Sequence, residues 1–421
     1  MKTTAKFLLL ITLILSSCQQ GNGPVLLFSN SLDMPRENEV ISFTFDEIEG
    51  LIGKFETDKK PLFISGADTL TAQFINYQGD KRPEEVLIEI SIPASDSREV
   101  VVEWIEEKNY PEFIKKTNIH FARHEDPEKD IDSARRLQTV KTDETSAVYQ
   151  MEGPAWENNM IGFRNYFDLR NGMDIFGKLT SEMVLQNVGL KEGINSSDQF
   201  NFDISYHELS DWGMDILKVG NSLGAGAIAL EIEDSLYRVG DNGYGRYEKL
   251  YEGPLKSEFR FHFPDWKAAG KVRDITQYVS IEAGNYYYKS SLFLKENNSD
   301  ASFVTGIVNM HSEELIEFEA GQNHIAYLTH GRQAEDGNFL TMVIMVNKED
   351  FLSTGKTRDS GEGISESFYI KLQTEEGKAT EYFFYGFWAT GNPELKELEY
   401  LKTILENDAL KFENPVNTAR K

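Results

Sequence analysis

A single cysteine stands in 421 residues, at Cys18, so no disulfide can form within the chain and no CxxC metal or redox pair exists. There is no HExxH motif, no EF-hand loop and no GxSxG nucleophile elbow. Among the seven histidines, His120 and His124 stand four apart, a zinc spacing only on a helix, and the surrounding NIHFARHED alternates like a strand. No metal ligand set or cofactor is therefore expected, leaving open only a divalent cation held by carboxylates such as Asp168 and Asp174. Basic residues are scarce: 43 Lys and Arg against 69 Asp and Glu give a net charge of -26, which argues against nucleic acid as a partner. Beyond the first residues, no apolar run reaches the length of a transmembrane helix.

What the chain does have begins with a sorting signal. Lys2 and Lys6 precede an apolar stretch at 7–15, too short to span a bilayer. It ends in Leu15-Ser16-Ser17-Cys18, which resembles a bacterial lipobox with Cys18 as the lipidated residue. The expected organisation is a lipoprotein signal peptide at 1–17, a tether at 18–29, an N-terminal β unit at 30–115 and a catalytic β-sandwich domain at 116–421. Gln19-Gln20 gives no acidic run after the cysteine, so a periplasm-facing lipid anchor is preferred to a surface one.

Period-two alternation of apolar residues dominates the rest. VLIEISI at 86–92 puts Val86, Ile88, Ile90 and Ile92 on one face, and EVVVEWI at 99–105 follows after a turn-rich connection. Further strands are expected at 40–45, 63–65, 71–75, 147–151, 161–167, 227–232, 258–263, 278–282, 286–294, 303–308, 325–328, 340–346, 368–372 and 382–388. Residues 125–145 are charged and poor in apolar types, and predict an exposed loop. Asn392-Pro393 followed by Leu395, Leu398, Leu401 and Ile404 or Leu405 predicts a capped C-terminal helix. The fold class is thus mostly β: a large antiparallel β-sandwich with a small N-terminal β unit and a C-terminal helix.

Two segments are dense in chemically useful side chains. In WENNMIGFRNYFDLRNGMDIFGK (156–178), Arg164, Tyr166 and Asp168 alternate with apolar or amide residues, so one strand face would carry all three. In YHELSDWGMDILKVGNSLGAG (206–226), Tyr206 and His207 are proton-transfer types, and Lys218 lies in an apolar run where a cation is costly unless paired. The plain alternatives are a solvated sheet face for the first and a scaffold histidine for the second. Glu157 is assigned no role. Arg164, Asp168, Arg170, Asn171, Lys178, Trp212 and Asp215 are candidate substrate-binding residues; His207, Tyr166, Tyr206 and Lys218 are candidate catalytic ones. Aromatics such as Trp156, Trp266 and Trp388 suit sugar stacking, though most serve a core.

The combination GPAWEN, FRNYFDLRN, DIFGK, YH and DWGMDILKVGNSLGAG resembles a family of exported Bacteroidota proteins whose domain has long had no assigned function. Its members are encoded among polysaccharide-utilisation genes, and one that acts on ulvan is an oligosaccharide dehydratase. The looser N-terminal match departs at Gln78-Gly79-Asp80-Lys81, where the family has a more regular Asp/Gly-rich turn. The resemblance implies a fold like the mutarotase-like supersandwich. It also implies elimination of water from the non-reducing-end uronic acid of an acidic oligosaccharide. That chemistry needs a cation for the sugar carboxylate (Arg170 or Lys218), a base at C5 (His207) and an acid for the departing hydroxyl (Tyr166 or Tyr206). Glycoside hydrolysis by Asp168 with Asp174 or Asp215, and non-catalytic glycan binding by a lipoprotein, are the alternatives.

Overall fold

A computed structural model describes residues 23–56, 58–77, 82–190, 205–295 and 300–421. Cys18, with the sorting signal expected around it, and residues 78–81 lie outside the described residues.

The N-terminal unit is a small sandwich. Its three-stranded sheet runs Arg36–Thr44, Glu85–Ile92, Ala72–Ile75. Alternation in Glu85–Ile92 sends Val86, Ile88, Ile90 and Ile92 inward, against Leu26, Phe63, Val100 and Val102 of a facing five-stranded sheet. A helix unforeseen in the sequence, Phe45–Ile52, closes one end and buries Ile48 and Ile52. It starts where it does because Thr44 and Glu47 form a capping box, each side chain bonding the other's backbone N–H. The last strand, Asn417–Arg420, returns to this unit and pairs with Val25–Ser29, so the chain's end lies in the N-terminal sheet and not in the large sandwich.

The large sandwich is antiparallel. A nine-stranded sheet faces two five-stranded sheets, one built around Ile161–Asn165 and the other around Ala225–Ile232, and all three share one apolar core. Trp156 and Trp266 are wholly buried in that core, which removes them from any sugar-stacking role. The strand Phe339–Asn347 is buried almost throughout because both its faces are covered: Met342, Ile344 and Val346 point into the sandwich, Val343 and Met345 away from it. The outward pair meets the C-terminal helix Leu398–Glu413, which buries Leu401, Leu405 and Ala409 on the back of the nine-stranded sheet. Each such leucine contributes about 1.5–3 kcal/mol by burial. The expected fold class holds, with one refinement. Asn392 caps a separate short turn, Pro393–Lys396, and the helix proper begins after it.

Three local expectations are corrected. Residues 125–145 are not a plain loop: they form the short strands Asp126–Asp130 and Ser133–Arg135 and most of the helix Thr142–Ser146. Their anchor is polar, which hid it from a hydrophobic pattern. Arg136 is buried with its guanidinium 5.0 Å from the Phe167 ring centroid, and it donates to the Tyr166 and Asp168 carbonyls. The strand expected at 147–151 does not form: Tyr149 makes only an isolated bridge to Arg123, and Gln150–Glu152 is a tight turn. A strand carried on from Met214 would have set Lys218 on one face with Met214 and Ile216, but the strand Gly213–Asp215 ends before it.

Candidate active site

Three strands position the site. Ile161–Asn165 pairs with Met173–Lys178 so that Arg164 lies opposite Asp174, and Gly213–Asp215 adds Asp215 opposite Phe176. Side chains of Arg164, Asp174 and Asp215 therefore meet on one face. The third strand fits only because residue 213 is glycine: its φ is +131°, and a Cβ there would sit 1.8 Å from the Gly177 carbonyl oxygen.

Arg164 is the hub. One terminal nitrogen, Nη2, donates to Asp174 Oδ2 at 2.8 Å, Asp215 Oδ2 at 2.7 Å and the Tyr166 hydroxyl at 2.9 Å. The other, Nη1, donates to the Tyr206 hydroxyl at 3.0 Å. Tyr166 in turn donates to Asp174 at 2.8 Å. Arg164, Asp174 and Asp215 are all essentially inaccessible to solvent. Burial opposes the Arg164 charge, but the two phenols and two carboxylates around it hold its pKa well above the usual value. Burial, with Asp174 alongside, pushes the Asp215 carboxyl well above the usual carboxylate range, against the pull of Arg164.

Above the hub lies a cleft of about 610 Å³ lined by His124, Glu125, Asp143, Tyr149, Gln150, Glu152, Tyr206 and His207, among others. His207 is the most accessible of the hub's neighbours, with 58% of its side chain exposed, and its Nδ1 lies 3.4 Å from Asp215 Oδ2. Burial of the rest, and the charge of Arg164, lower its pKa below the ordinary histidine value. Burial raises that of Tyr206, so it is a phenol at neutral pH. A neutral imidazole and a protonated phenol thus share the cleft, the protonation states that a base and an acid require.

Glu152, absent from the sequence-based candidates, sits in the wall. Its Oε2 accepts from Arg170 Nη2 at 2.8 Å, and its Oε1 lies 3.5 Å from the Tyr206 hydroxyl and 3.8 Å from Arg164 Nη1. Arg170 also donates to Asp168, which accepts from Thr145 Oγ1 at 2.6 Å as well. Asp168 and Asp174 thus serve different guanidinium groups and do not converge on a common point for a cation. The only sequence sign of Glu152 was the following Gly153-Pro154, a turn signal that names no chemistry.

The remaining candidates lie elsewhere. Asn171 holds the turn after Ile161–Asn165: its side chain donates to the Val239 carbonyl at 2.7 Å and accepts from Asn165 at 3.0 Å, with φ of 41°. Lys178 is buried on Glu157 at 2.5 Å and donates to the Asn158 and Glu182 carbonyls, so its donors are spent internally. Glu157 is correspondingly a core ion-pair partner and not a surface residue. Lys218 is exposed and lies beside Met310, His311 and Gln333, away from the Arg164 hub, beyond the end of the strand Gly213–Asp215. Trp212 packs edge-on against Phe176 at 5.9 Å beneath the cleft. His120 is committed to Asp130 and Gln150 at 2.8 and 2.9 Å.

Residues 28–418 match the family model described as a domain of unknown function, DUF4861. The chain belongs to this family. A relative of this DUF4861 chain, the uncharacterized protein P7 of Formosa agariphila, is 23% identical over 296 residues, 65% of either chain. Among solved structures, an alpha-mannosidase from Enterococcus faecalis V583 overlays 95% of the chain at 9% identity and a TM-score of 0.47. A glycosyl hydrolase family 38 protein from Enterococcus faecalis does so over 95% at 9% identity and 0.39. The DUF4861 chain spans just under two thirds of the Formosa protein and 46% and 47% of the two solved chains. Likeness at that level carries no chemistry.

Proposed function

We propose that the cleft over Arg164 is the active site of a carbohydrate-processing lyase, a dehydratase acting on the non-reducing-end uronic acid of ulvan-type oligosaccharides. The sequence resemblance supplies the substrate class. The observation that carries the chemistry is Tyr206 and His207 lining one cleft in complementary protonation states, with Arg164 Nη1 3.0 Å behind the phenol oxygen.

In this reading His207 takes the C5 proton while the C4–O bond breaks. Tyr206 gives its proton to the departing oxygen, which leaves as water, and a C4=C5 double bond forms with no change of redox state. The resulting phenolate faces the Arg164 guanidinium, a preformed cation that needs no reorganisation as charge develops. Of the two phenols, Tyr206 suits the acid because Tyr166 is enclosed between Arg164 and Asp174. Of the two cations, Arg170 is the nearer to the site, bonded to Glu152 in the cleft wall; its donors also serve Asp168 and Thr142, so a sugar carboxylate would have to displace one of them. The hydrolase alternative fits less well. Asp174 and Asp215 close onto the same Arg164 nitrogen, and Asp168 is tied to Arg170, so none of these three carboxylates is free to face another across a sugar. Lipidation at Cys18 and a periplasm-facing anchor belong to the same proposal.

The test is ultraviolet absorbance of the conjugated alkene during incubation with uronic-acid-terminated ulvan oligosaccharides. Wild type should generate it, and Tyr206→Phe and His207→Ala should not, while both variants keep the wild-type circular dichroism. Equal rates in all three proteins would refute the assignment.

A further inference from the structure

Glu152 occupies an unusual backbone. It and Met151 both hold left-handed conformations, with φ of 62° and 52°, although neither is glycine, and Gly153 follows at φ 157°. Each such residue costs on the order of 1 kcal/mol or more and persists only where its surroundings impose it. The turn is fixed from several sides. Phe167 N–H donates to the Glu152 carbonyl at 3.0 Å, Glu152 N–H to the Tyr149 carbonyl at 3.2 Å, and Arg164 Nη1 to the Met151 carbonyl at 3.4 Å. Its effect is to turn a carboxylate, only 6% exposed, toward the cleft between two guanidinium groups.

The Tyr206 hydroxyl already accepts a hydrogen bond from Arg164, which has no lone pair to offer in return. Its own proton must point elsewhere, and Glu152 Oε1, 3.5 Å away, is the acceptor on that side. That distance is at the long limit of a hydrogen bond. It steers the proton without holding it tightly.

We propose that Glu152 is a positioning residue for Tyr206: it fixes the phenol proton on the cleft side and keeps Tyr206 protonated in the resting site, so that the proton is ready for the leaving oxygen. This rests on the reading of Tyr206 as the acid. Among the described residues, the charged and titratable groups around Tyr206 are Arg164 from the neighbouring strand, Asp215 and, through Arg164, Asp174 from the two strands beyond, Glu152 from the turn and the His207 imidazole next in sequence. Of these, Glu152 is the carboxylate nearest the phenol that is not also bonded to Arg164 Nη2. Its loss should therefore make the phenol easier to ionise. As the reaction proceeds, the same negative charge opposes formation of the phenolate, and Arg164 is the cation that offsets it as the proton passes outward to the sugar oxygen.

The experiment is an alkaline titration of tyrosinate absorbance on the full folded chain, comparing wild type, Glu152→Gln, Tyr206→Phe and the double variant. In Glu152→Gln one tyrosine should titrate at lower pH than in wild type, and that shift should vanish in the double variant. Should Glu152→Gln fail to fold, the tyrosine lost between wild type and Tyr206→Phe must still titrate above an ordinary phenol. An ordinary value there, or an unshifted titration in a folded Glu152→Gln, overturns the proposal and leaves Glu152 as a tether for Arg170. Where turnover is measurable, Glu152→Gln should lower kcat about tenfold or more with KM little changed, and should move the alkaline limb of the pH profile downward. A titration shift without any turnover in wild type would keep the Glu152–Tyr206 coupling and refute the dehydratase reading instead.

Discussion

Replacing Arg164 with methionine removes one cation from beneath two buried carboxylates, and the cost can be worked from the structure. Asp174 and Asp215 each bond Arg164 Nη2 directly and are 0% and 1% exposed. Breaking a buried pair by deleting one partner costs about 3–5 kcal/mol, because the other charge is stranded. The stranded group can escape by taking up a proton. From the ordinary aspartate value of 3.8, that costs about 1.4 kcal/mol per pH unit, so about 4 kcal/mol per carboxyl at neutral pH and about 2 at pH 5. Asp215, already held above the usual range, protonates more cheaply, so Asp174 sets the scale. The expected loss is about 3–5 kcal/mol at neutral pH and about half that at pH 5. The sign follows from linkage: in the variant the folded carboxyls bind protons more tightly than the unfolded ones. Their stabilising contribution is therefore present at low pH and lost as pH rises through the raised folded value. Urea denaturation at the two pH values, for wild type, Arg164→Met and Arg164→Met/Asp174→Asn, reads this directly. The double variant should recover part of the loss. A loss below about 1 kcal/mol at neutral pH, or one independent of pH, would refute the picture of Arg164 as the charge that compensates Asp174 and Asp215.

Four further outcomes are expected. His207→Gln should lower kcat by about 10²–10⁴-fold while changing stability by no more than about 0.5 kcal/mol, because its side chain is mostly exposed. In wild type the acid limb of kcat/KM should fall below pH 6.5, since burial and Arg164 depress the His207 pKa and a base must be unprotonated. Lys178→Met should destabilise by about 3–5 kcal/mol by stranding Glu157, a loss visible in thermal melts and lessened by Glu157→Gln in the same chain. Leu405→Ala should cost about 2–5 kcal/mol by loosening the helix from the back of the nine-stranded sheet, without altering ligand binding in the cleft as followed by titration.

The strands were legible because period-two alternation survives wherever one face of a sheet is buried, as in Glu85–Ile92. It fails where packing is not hydrophobic. Residues 125–145 look like a loop because their most deeply buried anchor is Arg136, stacked among Phe167, Phe261 and Phe263, while Ile131, Ala134 and Leu137, which pack on the core, show no period-two alternation. The density of polar types in 156–178 and 206–226 pointed to Arg164, Tyr166, Tyr206, His207 and Asp215, which the structure gathers into one cluster. Sequence spacing could not separate these from Lys178 and Lys218, since a buried lysine reads the same whether it meets a ligand or, like Lys178, an internal glutamate. Glu152 was hidden for a different reason. The left-handed turn at Met151 and Glu152 breaks what reads as a strand, and neither residue type announces that conformation.

The measurement that bears most directly on the account is mass spectrometry of ulvan-type oligosaccharides with a saturated non-reducing uronic acid, before and after incubation with the protein. The account predicts products lighter by one water, with the sugar chain uncut. Fragments that have gained water would mean a hydrolase, and an unchanged mass for oligosaccharides that demonstrably bind would mean a glycan-binding protein. Either result would contradict it.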